Sequence, residues 1–316
     1  KRLLGEGHLK MGMVAQDLLK QKQREEVKRL LGEDLVDAAA FQQKMLDNQP
    51  FLEAISLHQT SETCDALGMY RPASSGAAFT CSGSDEIRFS ALCVLARLFS
   101  RYAHDALLQS FPKPIFSDFG GEERRLERVH YSSLLKNPAQ ELKWLVTLVQ
   151  DLHQPLNLIR GQYDFGKDLT VSYKGKETTL RQLWEAVLAT QLPLMPTEPD
   201  MIDARSSYKQ NSKEWSDVHP VTLFVDWADE GARLACSEIY EKLRPRNPPN
   251  NSVVVSDELF ASWQQTAQEL VIKGGERTAW LMKELIDHER HKSSQRHGRG
   301  LHHRSRKWVR QLLTNV

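Results

Sequence analysis

The segment WLVTLVQDLHQPLN, Trp144 to Asn157, sets one carboxylate, Asp151, on an otherwise apolar helical surface. An isolated charge in such a place is costly, so it must be paired or must coordinate something. Two chemistries are open to it. Beside imidazoles and further carboxylates, Asp151 is a metal ligand, and the metal turns bound water into a nucleophile. Beside a guanidinium it is half of a structural ion pair. Arg181 and Glu185, in LRQLWE, lie four residues apart and share one helix face. His153, two residues from Asp151, points to another face and is not expected as a ligand.

Helices must position these groups. Apolar residues at mixed three- and four-residue spacing predict a helix over Leu9–Leu31, with Gly32 as its stop. Further helices are predicted over Asp34–Asn48, Phe51–Leu57, Glu86–Phe111, Ala139–His153, Leu180–Leu192, Asp200–Glu214, Val221–Leu243 and Asp257–Glu289. Residues 59–85 read as a long loop. Lys113 to Ser133, with Gly120-Gly121, reads as a surface excursion. DLTVSYKGKETT, Asp168 to Thr179, alternates around Lys-Gly and predicts the one hairpin. RPRNPPNN, Arg244 to Asn251, must be loop, and Asn250 heads a formal glycosylation sequon within it.

The 316 residues suffice for one large core. A net charge of +1 gives no global pull on nucleic acid. The charge is uneven, however: His288 to Arg310 holds eight Lys/Arg and a single acid, Glu289. Such a tail, with Trp308 and Leu312-Leu313, fits RNA, other single-stranded nucleic acid, an acidic protein surface or anionic lipid. No apolar run is long enough for a transmembrane helix. The chain starts at Lys1 without a signal-peptide core, as expected of a processed chain. Cys64, Cys81, Cys93 and Cys236 form no C-x-x-C pair, which argues against a cysteine zinc knuckle. Composition fits one or two disulfides and fits free thiols equally. The six tryptophans from Trp144 to Trp280 sit at helical positions and are expected in the core.

Spaced segments resemble the S1/P1 nuclease family, secreted single-strand-specific zinc nucleases that share the fold of zinc-dependent phospholipase C. These are GHLKMGMVAQDLL (Gly7 to Leu19), KMLD (Lys44 to Asp47), SLH (Ser56 to His58), WLVTLVQDLHQPLN, TVSYKGKETTLRQLWE (Thr170 to Glu185), DWADEGARLAC (Asp226 to Cys236) and IKGGERTAWLMKEL (Ile272 to Leu285). The resemblance implies an all-α, multi-helix single domain over residues 5–287 with one small β-hairpin. A basic C-terminal extension, 288–316, follows it. It also implies a disulfide between Cys64 and Cys236, with Cys81 and Cys93 as a second pair, and the secretory pathway; a processed chain fits an organelle as well.

The family holds three zinc ions on His and Asp side chains and on its N-terminal residue. By resemblance, His8, Asp47, His58 and Asp151 keep the ligand type, and Glu185 stands where an Asp is usual. Thr147, Asn157 and Arg181 stand where imidazoles are usual. A guanidinium cannot deprotonate to become a ligand. Arg181 is therefore expected to supply the positive charge among Asp151 and Glu185 that zinc would supply. The resulting expectation is a degenerate, catalytically inactive nuclease-like protein without a cofactor. It would act as a structural or interaction subunit, contacting other subunits through 113–133 and 288–316. Two alternatives stay open. One is a metal-dependent single-strand endonuclease or phosphoesterase with one zinc ion on Asp47, His58 and Asp151. The other is a nucleic-acid-binding protein without cleavage.

Overall fold

The computed structural model describes residues 4–48, 53, 55, 57, 63–64, 70–71, 91–103, 138–243 and 253–296. The first predicted helix is two: α1 spans Leu4–Leu18 and α2 spans Gln21–Leu31. The break falls at Leu19 and Lys20, where Lys20 is extended and caps α2. Arg24 stabilises it by donating from Nε to the Leu19 carbonyl at 2.8 Å and from Nη2 to the Asp17 carbonyl at 3.3 Å. The orphan carbonyls at the end of α1 are thus satisfied by a side chain from α2. Gly32 ends α2 as expected, at φ 76°. The second predicted helix is likewise divided, into α3 (Leu35–Ala39) and α4 (Phe41–Asn48).

Residues 59–85, expected as loop, contain a two-residue ladder between β1 (Thr63–Cys64) and β2 (Tyr70–Arg71). Helix α5 is Ala91–Ala103 and α6 is Pro138–Asp151. From Glu141 to Asp151 only Lys143 escapes burial. A helix covered on all sides is a central one, and α6 packs against α2, α3, α4, α5 and the closing helix.

The hairpin forms as expected from β3 (Thr170–Tyr173) and β4 (Lys176–Thr179). Lys174 and Gly175 both have positive φ, the geometry of a two-residue hairpin turn. An additional strand, β5 (Val253–Val254), joins β3 in parallel, so the sheet has the order β4-β3-β5. Thr179 caps α7 (Leu180–Ala186) in a capping box with Gln182, and a π-helical turn, Val187–Gln191, continues it. Helix α8 is Glu198–Trp215. Helix α9, Pro220–Leu234, runs into a second π-helical segment, Ala235–Tyr240.

Helix α10, Asp257–Arg296, is 40 residues long. It passes the expected boundary at 287, so the first nine residues of the basic extension continue the closing helix. Along α1 it packs tightly enough to require glycine: a Cβ at Gly275 would lie 2.4 Å from Val14 Cγ1 and 3.1 Å from the Met11 carbonyl. The core is aromatic-rich, as the tryptophan positions suggest. Trp144, Trp184, Trp227, Trp263 and Trp280 are buried, and Trp215 packs edge-on against Trp227 and Trp280 at 5.6 and 6.2 Å. Trp308, Asn250, the excursion at 113–133 and residues 297–316 lie outside the described residues.

Cys64 and Cys236 are joined in a disulfide that ties β1 to the second π-helical segment across 172 residues. Cys93 is also disulfide-bonded; Cys81 lies outside the described residues. No described helix is long and apolar enough to cross a membrane.

Candidate functional site around Asp151

Asp151 ends α6 inside the protein, with 1 % of its surface exposed. Its position at the C-terminal turn follows from the sequence after it. Pro155 cannot continue an α-helix, and the chain turns into a short 3-10 segment, Pro155–Asn157. That turn folds Asn157 back toward Asp151. The Asn157 amide nitrogen lies 3.3 Å from the Asp151 carbonyl and 3.4 Å from Oδ1, a long and shared contact.

Two more groups reach the carboxylate. Gln42, from α4, donates from Nε2 to Oδ2 at 2.7 Å. His8, from α1, brings Nε2 to 3.1 Å from Oδ1, an ion-pair distance without the alignment of a hydrogen bond. His8, Gln42, Asp151 and Asn157 are all buried.

Arg181 joins this cluster at one remove. Its Nη2 donates to Asn157 Oδ1 at 2.9 Å, and its Nε lies 2.9 Å from Glu185 Oε1, one turn along α7. The result is a chain of contacts, Asp151 to Asn157 to Arg181 to Glu185. Gly166, at φ 80°, lets the loop before β3 approach closely enough for its carbonyl to accept from the Arg181 backbone N–H at 3.0 Å. A Cβ there would lie 3.3 Å from that nitrogen. Arg181 Nη1 is buried and has no hydrogen-bond partner.

The sequence-derived positions therefore separate. His8, Asp151, Asn157, Arg181 and Glu185 come together. Arg181 does not pair with Asp151 directly; Asn157 stands between them. Thr147 is buried on the face of Asp151, but its hydroxyl is directed to the Lys143 and Trp144 carbonyls, both at 3.2 Å. Asp47 is not brought in. It is exposed and accepts from Gln43 Nε2 at 2.7 Å on the outer side of α4. His58 lies outside the described residues. Gln42 takes the place beside Asp151 that the sequence reading gives to Asp47. Its signal was its spacing with Ala38 and Leu46, a buried stripe in which a glutamine is the odd residue.

A second buried polar cluster was not foreseen. His153 places Nδ1 2.8 Å from the Val149 carbonyl and Nε2 2.9 Å from Arg277 Nη1. Because the guanidinium can only donate, Nε2 accepts and Nδ1 carries the proton. Arg277 also pairs with Glu230 and lies 5.0 Å from the Trp227 ring centre. Lys273 pairs with the same Glu230. Burial, and then the Arg277 charge, pull the His153 pKa down to about 3. Burial alone would raise the Glu230 pKa, but Arg277 and Lys273 outweigh it and hold the carboxyl at about 2. His153 is thus a neutral structural histidine, as its position off the Asp151 face suggests.

These helices, with two small sheets and a polar centre at the end of α6, make an all-α fold. The S1/P1 Nuclease family model matches residues 115–287, more than half of the chain, and the protein belongs to that family. No curated protein matches it.

Membership implies zinc, so the donors present must be tested against it. Among the described residues, no three of His, Cys, Asp and Glu gather where they could hold a metal ion. Around Asp151 the set is one imidazole, two carboxamides and a guanidinium. Amides are weak zinc ligands and a guanidinium is none. Both Asp151 oxygens already face N–H groups, and the unpartnered Arg181 Nη1 adds a fixed positive charge. The described residues at this centre do not fit the zinc cluster of the family.

Proposed function

We propose that the protein is a non-catalytic member of the S1/P1 nuclease family that serves as a structural or interaction subunit of a larger assembly. One observation supports the reading: the groups around Asp151 are amide N–H donors from Gln42 and Asn157 and, through Asn157, the Arg181 guanidinium, rather than a set of metal ligands. Hydrolysis of a phosphodiester needs an activated water, and nothing in the Asp151–Asn157–Arg181–Glu185 chain of contacts activates one. The contact elements of this proposal are the segment at 113–133 and the basic extension at 288–316, chosen on sequence grounds.

A second reading rests on the His8–Asp151 contact at 3.1 Å. An imidazole facing a carboxylate is a metal-binding pair in the making, and with a third ligand it would give a reduced, metal-dependent nuclease site. Cleavage of single-stranded DNA and RNA, with and without added zinc, separates the two readings. The proposed function expects no cleavage above buffer in either condition. Zinc-dependent cleavage that disappears in Asp151→Ala would replace it with the nuclease reading.

A further inference from the structure

We infer that Arg181 and Asn157 together do the cross-linking that a bound cation would do at this centre, so that the fold is independent of divalent metal while the geometry of a metal site is retained beneath them. The inference deepens the non-catalytic reading and rests on it.

The centre joins five segments: α1 through His8, α4 through Gln42, α6 through Asp151, the 3-10 turn through Asn157, and α7 through Arg181 and Glu185. Two buried or nearly buried carboxylates, Asp151 and Glu185, are among them. Left alone, each would lose hydration without a balancing charge, which is the situation a metal ion relieves. Here the guanidinium supplies the positive charge. It reaches Glu185 directly and Asp151 through Asn157, whose amide accepts from Arg181 with its oxygen and offers its nitrogen to Asp151. An amide suits this relay because it carries a donor and an acceptor at one end. A second imidazole in place of the guanidinium would leave the pair of carboxylates without a permanent charge.

The same contacts place two substituted positions between two carboxylates. The side chain at 157 touches Asp151, the side chain at 181 touches Glu185, and the two touch each other at 2.9 Å. Imidazoles at both positions would therefore gather with Asp151 and Glu185 into a two-imidazole, two-carboxylate set, which suits zinc and cobalt. The guanidinium with its unpartnered Nη1 is what denies that set a cation.

The test compares the wild-type protein with the Asn157→His/Arg181→His double variant. Both are dialysed against chelator and titrated with cobalt(II), reading the visible d–d absorption and the melting temperature. The wild type should show no d–d band, and its melting temperature should move by less than about 1 °C in chelator or cobalt, since a ligand that does not bind cannot shift stability. The double variant should gain a band that saturates at one equivalent, with a melting temperature that rises by several degrees on adding cobalt. A saturable band in the wild type, a fall of its melting temperature in chelator, or a folded double variant without a band would each overturn the inference. Should the double variant not fold, Arg181→Met decides. It should melt several degrees lower in metal-free buffer, and an unchanged melting temperature would overturn the inference. Failure here is distinct from failure of the functional reading, because a structural metal without cleavage and cleavage by some other site give different pairs of results.

Discussion

Arg181 and Asp151 belong to one buried network without touching: the Asn157 side chain lies between them, accepting from the guanidinium at 2.9 Å and offering its nitrogen to the carboxylate at 3.4 Å. A direct pair would have explained the positive charge at this centre, but not the asparagine after Gln154-Pro155-Leu156. The relay gives the guanidinium and the asparagine one shared role. It also makes Arg181 the group on which the centre depends most.

Removing that charge should therefore be expensive. Arg181→Met keeps the length of the side chain but takes the guanidinium from Glu185 and Asn157. Breaking a buried pair by deleting one partner costs about 3–5 kcal/mol. Arg181→Lys keeps the charge but cannot serve both acceptors in the same fork, and should lose about half as much. Urea unfolding of the two variants checks the order. Equal, small losses in both would show that the charge is a bystander.

Acid should weaken the fold through His153. Its folded pKa of about 3 lies below the ordinary 6.5, so the unfolded chain takes up the proton first. Stability is then complete above pH 6.5 and falls as pH drops toward 3, by up to about 1.4 kcal/mol per pH unit. Glu230, held at about 2 against an ordinary 4.5, adds its own loss only below pH 4.5. Burial raises the Glu276 and Asp226 pKa values, which works in the opposite direction, so the histidine's share is read as the difference between wild type and the His153 variant. Stability measured from pH 6.5 down to 4.5 should fall more steeply in the wild type than in His153→Gln; parallel curves would contradict the neutral, Arg277-bonded imidazole.

Gly275→Ala should destabilise, against the usual helical preference for alanine. In an exposed helix the change gains about 1 kcal/mol. Here the new methyl would meet Val14 Cγ1 at 2.4 Å, so α1 and α10 must separate. Overpacking of this kind costs about 1–3 kcal/mol. A rise in melting temperature on this substitution would mean that the two helices are not so close.

Reduction of the Cys64–Cys236 bridge should lower stability even if the fold survives. It closes a loop of 172 residues, and bonds of this kind contribute about 2–5 kcal/mol. Cys236→Ala, unfolded under non-reducing conditions so that Cys93 keeps its own bridge, isolates the effect.

Much of this architecture is legible in residue order. The apolar run from Leu142 to Val149 announces the central helix, Lys174-Gly175 announces the hairpin, and Gly32 marks the end of α2. The breaks at Lys20 and Ala40 are not announced. Each depends on capping contacts that periodicity does not register, such as Arg24 reaching back to Leu19. Gln42 shares its buried stripe with Ala38 and Leu46, whereas Asp47, five residues on, is exposed. The two-residue strand β5 pairs with β3 across some eighty residues of chain and has no local signature. At the centre, Asp151, Arg181 and Glu185 stand out by chemistry alone. The roles of Asn157 and Gln42 do not, since a buried amide reads like any polar residue until its partners are known. The Arg277–His153 cluster had a quieter signal: the Gly274-Gly275 pair, three and two residues before Arg277, marks where α10 presses on α1.

In the proposed function, a guanidinium and two amides make the centre around Asp151 metal-free. A crystal structure of protein equilibrated with excess zinc, with anomalous differences recorded at the zinc edge, tests it most directly. The account expects no anomalous peak within coordination distance of Asp151, with Asn157 still lying between Asp151 and Arg181. A peak bonded to Asp151, with Arg181 swung away from Asn157, would contradict it.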